Sequence, residues 1–590
     1  MYCRNHSCNE VSCREEVKEG AAVCRRDIMK FSEMKYERPM IGEIREKGEK
    51  IREAFVNAER FEECDRALME WDRMIAHVDT MMSLAYVRNS INTADPFYEA
   101  EVEYIDEISP LFTDIQQSFA KLLTESAFRQ ELAAKYGELM FLNNEIFLKA
   151  YSDKIIPEMQ ECNKLETAYQ KLLASAQIEF EGETLTLSQL MPYKKTSDDA
   201  KRRAAWAAEA AFYSSVGDQL DDIYDQLVTL RTKMAKKIGY ENFVPLGYLQ
   251  MNRNCYSPKE IGAFRKAVVK YIVPVADELY RAQAKRTGLS YPLTFADAAL
   301  QFRDGNPKPQ GTPEEILSVG KDLYHSLSKE SGEFIDLMLK DELMDVLSTK
   351  GKASGGYCTQ LQDYNVPFIF ANFNGTADDV EVITHEAGHA FAFYCARDIV
   401  PMDNQSPTLE ACEIHSMTME FFGWRKSDAF FGKDAEKFRY SHLFGAITFI
   451  PYGAMVDHFQ HIVYEKPDMS KEQRHEVWRE LMKVYMPWMK LDGTPFYGEG
   501  KGWQRQIHIY ENPFYYIDYC LAQTVALEFW TIMQDSHEEA WERYMKLVRK
   551  AGTQTFEELV KTAGLSSPFE EKTLCRVAEA AKNWLNENDR

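Results

Sequence analysis

Most of this chain has the periodicity of long helices. Apolar residues from Phe61 to Ala85 follow one another at alternating steps of three and four, which places them on one seam of a helix. Residues 138–151, 156–174 and 204–237 have the same helical character. Because an apolar seam must be buried against other elements, we predict a mainly α fold built from many packed helices.

Two segments interrupt the helices with strand-like sequence. Residues 178–180 and 184–187 alternate apolar and polar side chains on either side of a Glu-Gly pair, which predicts a hairpin. The segments 355–358 and 366–373 are short, aromatic and β-prone, and a helix is predicted to follow them from about Thr376. We therefore expect a small β-sheet directly before that helix.

Breaks in the pattern divide the chain into three parts. Pro192 and the polar run behind it separate an N-terminal helical domain, residues 29–192 with the hairpin near its end, from a mainly helical domain over residues 193–590. Residues 1–28 are polar and are predicted to be a flexible extension. Four cysteines in that extension lack the paired spacing of a zinc hook: Cys3, Cys8, Cys13 and Cys24.

Composition excludes several classes of partner. Across 590 residues, 70 Lys and Arg stand against 93 Asp and Glu, and the net charge of −23 repels nucleic acid and anionic membranes. A secretory signal is not expected, nor is a membrane span, because no apolar run reaches about 18 residues. Twelve cysteines are too few for a disulfide scaffold. We therefore expect a cytoplasmic protein.

A short motif in the second domain carries the chemistry. His385, Glu386 and His389 form an H-E-x-x-H pattern inside the helix predicted after the small sheet. Residues four apart share one helix face, so both imidazoles can bind one metal ion while Glu386 reaches a water on it. A zinc ion lowers the pKa of such a water toward about 7, and the carboxylate accepts its proton. The motif predicts a zinc hydrolase with Glu386 as general base.

A later helix offers the third protein ligand. Glu413 and Glu420 lie two turns apart on one helix face, in a segment flanked by apolar residues. Carboxylates in such surroundings are costly unless they are paired or bind a metal. By spacing alone, one of the two binds zinc and the other holds a ligand histidine by its free N–H. His415 lies on another side of this helix and is not expected to be a ligand.

The two motifs together resemble the thimet-oligopeptidase family of zinc peptidases, and above all its oligoendopeptidase F and Pz-peptidase branch. The resemblance rests on H-E-x-G-H followed about two dozen residues later by E-x-x-S-x-x-x-E, and it does not cover the first 28 residues. It implies that His385, His389 and Glu413 bind one zinc ion. It also implies that Glu386 is the base, that Glu420 holds a ligand histidine, and that a zincin-type helical fold encloses a deep substrate channel.

Donors near the C-terminus extend the predicted site. A glycine-rich loop leads to His508, and a helix predicted to start at Pro513 follows. Three phenols lie at helical spacing on it: Tyr515, Tyr516 and Tyr519. Imidazole and phenol donors aimed at a tetrahedral oxyanion contribute about 10²–10³ in rate each. In the resembling family a histidine and tyrosines of this region have that role, and which tyrosine acts stays open.

The strand-like segment before the catalytic helix is predicted to bind substrate. An extended peptide has unpaired N–H and C=O groups that an edge strand can satisfy. Gly355 and Gly356 let a second backbone come close, and Tyr357 follows them. Plain structural strands are the competing interpretation.

These observations predict an oligoendopeptidase that holds one Zn²⁺ per chain and cleaves internal bonds of short unstructured peptides with metal-activated water. Two other classes stay open: a zinc metallocarboxypeptidase and a non-catalytic peptide-binding helical protein. A peptide with a blocked C-terminus separates the first two, because an endopeptidase still cuts it. No oligomeric state is predicted.

Overall fold

The structure, a computed structural model, describes residues 29–589. The extension predicted over residues 1–28, with its cysteines, lies outside the described residues. Within the described range the chain is mainly helical with two small sheets, which confirms the predicted fold class. None of the helices in this range combines the length and apolarity needed to cross a bilayer. The cytoplasmic location stays a prediction.

The helices and strands are numbered in chain order. The first helices are α1 (Ile41–Val56), α2 (Phe61–Ile91), α3 (Pro96–Thr124), α4 (Arg129–Tyr136), α5 (Glu138–Ala150), α6 (Ile156–Ala174), α7 (Leu187–Lys194) and α8 (Asp199–Lys237). The next are α9 (Phe243–Gln250), α10 (Pro258–Ala267), α11 (Val273–Thr287), α12 (Phe295–Ala298), α13 (Pro313–Leu327), α14 (Lys329–Lys340), α15 (Asp378–Ala396) and α16 (Leu409–Phe422). The last are α17 (Ser427–Phe431), α18 (Ala435–Glu465), α19 (Lys471–Tyr485), α20 (Ile507–Glu511), α21 (Tyr516–Asp535), α22 (His537–Val548), α23 (Phe556–Thr562) and α24 (Glu571–Glu587). The strands are β1 (Ile178–Phe180), β2 (Glu183–Leu185), β3 (Met344–Leu347), β4 (Tyr357–Leu361) and β5 (Val366–Phe373).

The predicted apolar seam of α2 is the buried face of that helix. Leu68, Trp71 and Ile75 are buried, and the Trp71 ring stacks on Phe119 of α3 with centroids 4.1 Å apart. Helices α1 to α5 share this apolar cluster, whereas α6 packs on α8 in a larger one. The domain limits at residues 29, 192 and 193 stay a prediction.

The small sheet leads directly into α15. Its strand order is β3-β5-β4, with β3 parallel and β4 antiparallel to the central β5, so β4 is an edge strand. All residues of β5 except one are buried, as expected for a central strand. The separate β1–β2 hairpin pairs Ile178 with Leu185. Both β elements were predicted, but β4 begins at Tyr357, after the two glycines of the predicted segment, and β3 was not predicted.

Helices α15 and α16 approach each other closely at a glycine. A Cβ added to Gly388 of α15 would lie 2.8 Å from the Cα of Ser416 and 2.9 Å from the carbonyl oxygen of His415, both on α16. Backbone atoms cannot rotate away, so only glycine fits at this crossing. The crossing sets the distance between the two helices that carry the predicted metal ligands.

A buried arginine ties α16 to α21. The Arg253 guanidinium lies 2.5 Å from Asp518 of α21 and 3.4 Å from Glu410 of α16, and it donates a hydrogen bond of 2.9 Å to the carbonyl of Phe514. All three side chains of this network are buried. A buried cation is tolerable only with such partners, so the network fixes the relative position of the two helices.

Candidate active site

Three predicted ligands converge between α15 and α16. The Nε2 atoms of His385 and of His389 each lie 3.4 Å from Oε2 of Glu413. One ligand atom from each of the three residues lies within 4.8 Å of the others, a spacing that suits a single metal ion. Zinc in hydrolases is commonly bound by two imidazoles and a carboxylate. These three residues therefore fit the zinc ion that the motif predicts.

Glu420 holds one of these histidines in a fixed orientation. Its Oε1 lies 2.6 Å from Nδ1 of His385, and its Oε2 lies 2.7 Å from Nε2 of His442 on α18. The indole of Trp424 donates to Nδ1 of His442 at 3.0 Å, so His442 carries its proton on Nε2 and donates it to Glu420. Glu420 then accepts Nδ1–H of His385, which leaves the Nε2 lone pair of His385 for a metal.

The electrostatics of the site keep Glu413 charged. Burial alone would raise the pKa of its carboxyl, but His389 and His385 hold that pKa well below its ordinary value. Burial also opposes a charge on His385, yet its contacts with Glu413 and Glu420 raise its pKa well above the usual range. The carboxylates around the two histidines therefore favour a positive charge at this point, and a metal ion on the imidazole nitrogens would supply it.

Glu386 stands beside the ligands without being one of them. It lies on α15 and is 9% exposed, and burial raises the pKa of its carboxyl above the ordinary value. A Cβ built at Gly356 would lie 3.8 Å from its Oε1, so the segment before β4 passes close to this carboxylate. Gly355 has φ +93°, a conformation that favours glycine. Tyr357, in contrast, stacks on Phe370 within the sheet, with centroids 5.0 Å apart.

A chain of hydrogen bonds sets the tautomer of His508. Tyr452 donates to Oε1 of Gln506 at 2.9 Å, so the amide nitrogen of Gln506 faces Nδ1 of His508 at 3.0 Å and donates to it. His508 therefore carries its proton on Nε2, which lies 3.1 Å from the Tyr519 hydroxyl. Burial lowers the pKa of His508 to about 4, so the ring is a neutral donor near pH 7. With its oxygen accepting from His508, Tyr519 keeps its own O–H to donate elsewhere.

The other two tyrosines have different surroundings. Tyr515 donates to Oε1 of Glu413 at 2.5 Å, while Ser416 donates to Oε2 of the same carboxylate at 2.9 Å. Tyr516 makes ring contacts with Tyr452 and His508, at 5.8 and 4.9 Å between centroids. Tyr515 thus holds the predicted ligand Glu413, and Tyr516 packs beside His508.

The helix that carries these tyrosines starts later than the sequence predicted. It begins at Tyr516 rather than at Pro513, because Phe514 has φ +70°. The backbone N–H of Phe514 donates to Gln460 at 3.1 Å, and its carbonyl accepts from Arg253. Contacts with distant helices therefore hold this turn, and the turn presents Tyr515 to Glu413.

A cavity of about 330 Å³ joins the two sides of the site. Glu420 and His442 line it on one side, and His508, Tyr516 and Tyr519 on the other. Glu420 and the predicted oxyanion donors therefore border a common space, whereas His385, His389 and Glu413 are not among its lining residues.

Sequence reasoning missed several members of this site. His442 and Gln506 lie outside every motif, and only the structure brings them to Glu420 and His508. Ser416 belongs to the E-x-x-S pattern, and its contact with Glu413 accounts for its place there. His415 is buried nearby and is not in the group of converging ligand atoms.

The convergent histidines and carboxylate, with a second carboxylate beside them in a helical fold, define a metallopeptidase. Family models agree: one for the Peptidase M3 N-terminal domain matches residues 31–151, and one for Peptidase family M3 matches residues 323–578. The chain belongs to peptidase family M3.

Similarity to individual peptidases also supports membership of this family. The chain is 21% identical over 570 residues to oligopeptidase PepF of Bacillus subtilis (strain 168), with 88% of this chain and 80% of that protein covered. It is 43% identical to Pz peptidase A, solved with an inhibitor, with a TM-score of 0.93 over 95% of this chain and 100% of that one. The chain is a metallo-oligopeptidase that acts on peptides, and the predicted enzyme class is confirmed.

Proposed function

We propose that this peptidase depends on one zinc ion, held by His385, His389 and Glu413, and that it cleaves internal bonds of short unstructured peptides. The convergence of the three ligand atoms within 4.8 Å carries the proposal. Zinc suits this donor set better than magnesium or calcium, which prefer oxygen ligands. The hydrogen bond from His385 to Glu420 supports the ligand assignment, since ligand histidines usually donate their other N–H to a carboxylate.

Glu386 is the general base and then the general acid in this proposal. When bound, zinc would supply Lewis-acid chemistry, polarising the substrate carbonyl and lowering the pKa of water. Glu386 accepts the proton of the attacking water and returns it to the leaving amine. The raised pKa of its carboxyl supports both transfers, because a carboxylate with a pKa closer to neutrality is the stronger base and remains a usable acid.

His508 and Tyr519 donate to the oxyanion that forms from the scissile carbonyl. The tautomer of His508 and the O–H of Tyr519 give two donors that line the cavity, and both side chains interact electrostatically with Glu413. Tyr515 is already committed to Glu413, so we assign it to holding that ligand. Tyr516 keeps a packing role beside His508.

The substrate lies along the segment Gly355–Tyr357 and the edge strand β4. Two observations support this placement: β4 has a free edge in the strand order, and Gly356 stands next to Glu386. Backbone pairing with the substrate depends little on its side chains, which suits an enzyme that accepts many peptides. We expect the position of the predicted ligands between helices α15 and α16 to favour chains without stable folded structure.

Glu386→Gln tests the mechanism directly. The substitution keeps the size of the side chain but removes the base, so we expect normal zinc content and a loss of about 10²–10⁴ in kcat. Zinc is measured by plasma emission after dialysis, turnover with an internally quenched peptide, and the cut position by mass spectrometry. Turnover within tenfold of wild type would remove Glu386 from the mechanism, and products cut only at the C-terminal residue would contradict endopeptidase action.

A further inference from the structure

Glu381 places an unpaired carboxylate in the cavity of the active site. It lies on α15, four residues before the first predicted ligand, and it lines the cavity of about 330 Å³ together with His508. Within residues 29–589 its side chain accepts no hydrogen bond and forms no ion pair. Lys195 attracts it electrostatically, but the Lys195 ammonium is bonded to both oxygens of Asp378, at 2.7 and 2.8 Å.

The surroundings of this carboxylate make its negative charge costly. Burial raises the pKa of the Glu381 carboxyl above its ordinary value, and the negative charges of Asp378 and Glu420 oppose its ionisation further. His442 and Lys195 offset this increase in pKa only in part. A cation that entered the cavity would therefore be stabilised by Glu381 and would stabilise it in return.

Apolar groups form much of the remaining cavity wall. They come from three helices and are Met417 of α16, Ala446 and Phe449 of α18, and the ring of Tyr516 of α21. Lysine and arginine side chains pack their methylene stems along such surfaces while the charged end reaches a polar group. The cavity therefore suits a long side chain that ends in a positive charge.

Gly445 is an independent indication that this space accepts a ligand. It lies inside α18 and lines the cavity, and a Cβ built on it would meet no other atom within 4 Å. Glycine inside a helix is less favourable than alanine, because it loses more backbone freedom on folding. Packing does not require glycine here, in contrast to Gly388. The absence of a side chain at this position leaves the cavity open beside the apolar wall.

We propose that Glu381 binds the cationic end of a lysine or arginine side chain of the peptide substrate, with the methylene stem of that side chain in the cavity. This inference rests on the proposed peptidase function and adds a specificity-determining residue to it. One helical turn is about 5.4 Å long, and an extended peptide rises about 3.3 Å per residue. The basic residue is therefore expected within about two positions of the cleaved bond.

Alanine- and glycine-based peptides with one variable residue and both ends blocked test the proposal on the zinc-loaded enzyme. Lysine or arginine is expected to give a kcat/KM about 10- to 100-fold above that of norleucine or acetyl-lysine, the usual effect of a hydrogen bond to a charged group. Mass spectrometry of the products is expected to place the cut at a constant distance from the basic residue. Moving lysine by one position then moves the cut by one. Because the ends are blocked, neither terminus of the peptide contributes to the result.

Variants assign the preference to the residue. In Glu381→Gln the advantage of lysine over norleucine is expected to disappear, and in Glu381→Lys a glutamate peptide is expected to become the better substrate. Gly445→Leu fills the cavity without changing its charge and is expected to lower kcat/KM for lysine, arginine and norleucine peptides relative to an all-alanine peptide. Glu46→Gln, at an exposed glutamate paired with Lys50, is the control and is expected to keep the wild-type ratio.

A merely structural role of Glu381 would give a different result. A negative side chain in the first turn stabilises its helix, so its loss would lower the unfolding temperature and would slow the cleavage of every peptide by the same factor. Unfolding temperature and zinc content are therefore measured for each variant, and the ratio between peptides is compared at equal zinc content.

Three outcomes would overturn the inference. These are equal kcat/KM values for lysine and norleucine at every position in the wild type, a wild-type ratio in Glu381→Gln, and an undiminished preference for long side chains in Gly445→Leu. Failure to cleave any of the peptides would instead count against the proposed function. Fluorescence anisotropy of labelled lysine and norleucine peptides on Glu386→Gln measures their affinity ratio without turnover, so the two failures stay distinguishable.

Discussion

Replacing Gly388 with alanine tests whether the contact between α15 and α16 sets the metal site. The added methyl carbon would lie 2.8 Å from the Cα of Ser416 and 2.9 Å from a backbone oxygen. Carbon atoms prefer separations of about 3.5–4.0 Å, so relief requires the helices to move apart by about 3.5 − 2.8 = 0.7 Å. Overpacking of this kind costs about 1–3 kcal/mol of folding free energy.

This displacement of α15 from α16 is expected to weaken zinc binding more than it destabilises the fold. Glu413 and Glu420 both lie on α16, whereas His385 and His389 lie on α15. Ligand distances in metal sites tolerate changes of about 0.2 Å, which is several times less than the expected displacement. We therefore expect zinc affinity to fall at least about 10- to 100-fold, the loss seen when ligand support is disturbed, while the helical content stays unchanged.

The assay is a zinc titration of the metal-free protein against a chromophoric chelator, with circular dichroism and thermal unfolding in parallel. Gly262→Ala is the matched control. It lies inside helix α10, and its nearest neighbour would be a flexible arginine atom 3.9 Å from the new methyl. We expect it to bind zinc normally and to gain about 0.5–1 kcal/mol of stability from helix propensity. If Gly388→Ala binds zinc as tightly as the wild type, close approach of the two helices is not what positions the ligands.

Two further substitutions probe the site, and a third probes His458, a histidine of α18 outside it. Glu420→Gln weakens the hold on His385, so zinc affinity should drop about 10- to 100-fold in the same titration, and an unchanged affinity would contradict the orienting role. Tyr519→Phe removes one oxyanion donor and should lower kcat about 10²-fold with zinc content intact; a change confined to KM would argue against it. Burial lowers the pKa of His458 to about 4 from 6.5. Between these values the unfolded chain binds a proton that the folded chain does not, so stability falls as pH drops from 6.5 toward 4. His458→Gln should make that fall shallower in urea unfolding at pH 7, 6 and 5, and an equal slope in both proteins would refute it.

The local features of this protein could be predicted from its sequence. The spacing of His385 and His389 determines that they share a helix face, because helix geometry does not depend on distant residues. The apolar seam of α2 was predictable for the same reason, since its period reports which face is buried.

The missed features depend on contacts between distant segments. His442 reaches Glu420 across 22 residues because α18 and α16 both pack against α21, and no spacing rule connects the two. The delayed start of α21 follows from the hydrogen bonds that Arg253 and Gln460 make with Phe514, which override the helix-starting tendency of Pro513. Helix propensity describes the isolated segment around Pro513. Its conformation in the folded protein depends instead on hydrogen bonds with distant residues.

The wide sequence span of the site has a consequence for the cell that makes this enzyme. The proposed ligands come from α15 and α16, the proposed donors from α20 and α21, and the arginine that joins α16 to α21 comes from position 253. A ribosome that has translated only as far as Glu420 has therefore produced a chain with ligands but without the partner helices that hold them. Proteolytic competence arrives late in synthesis, so unfinished copies cannot degrade their neighbours.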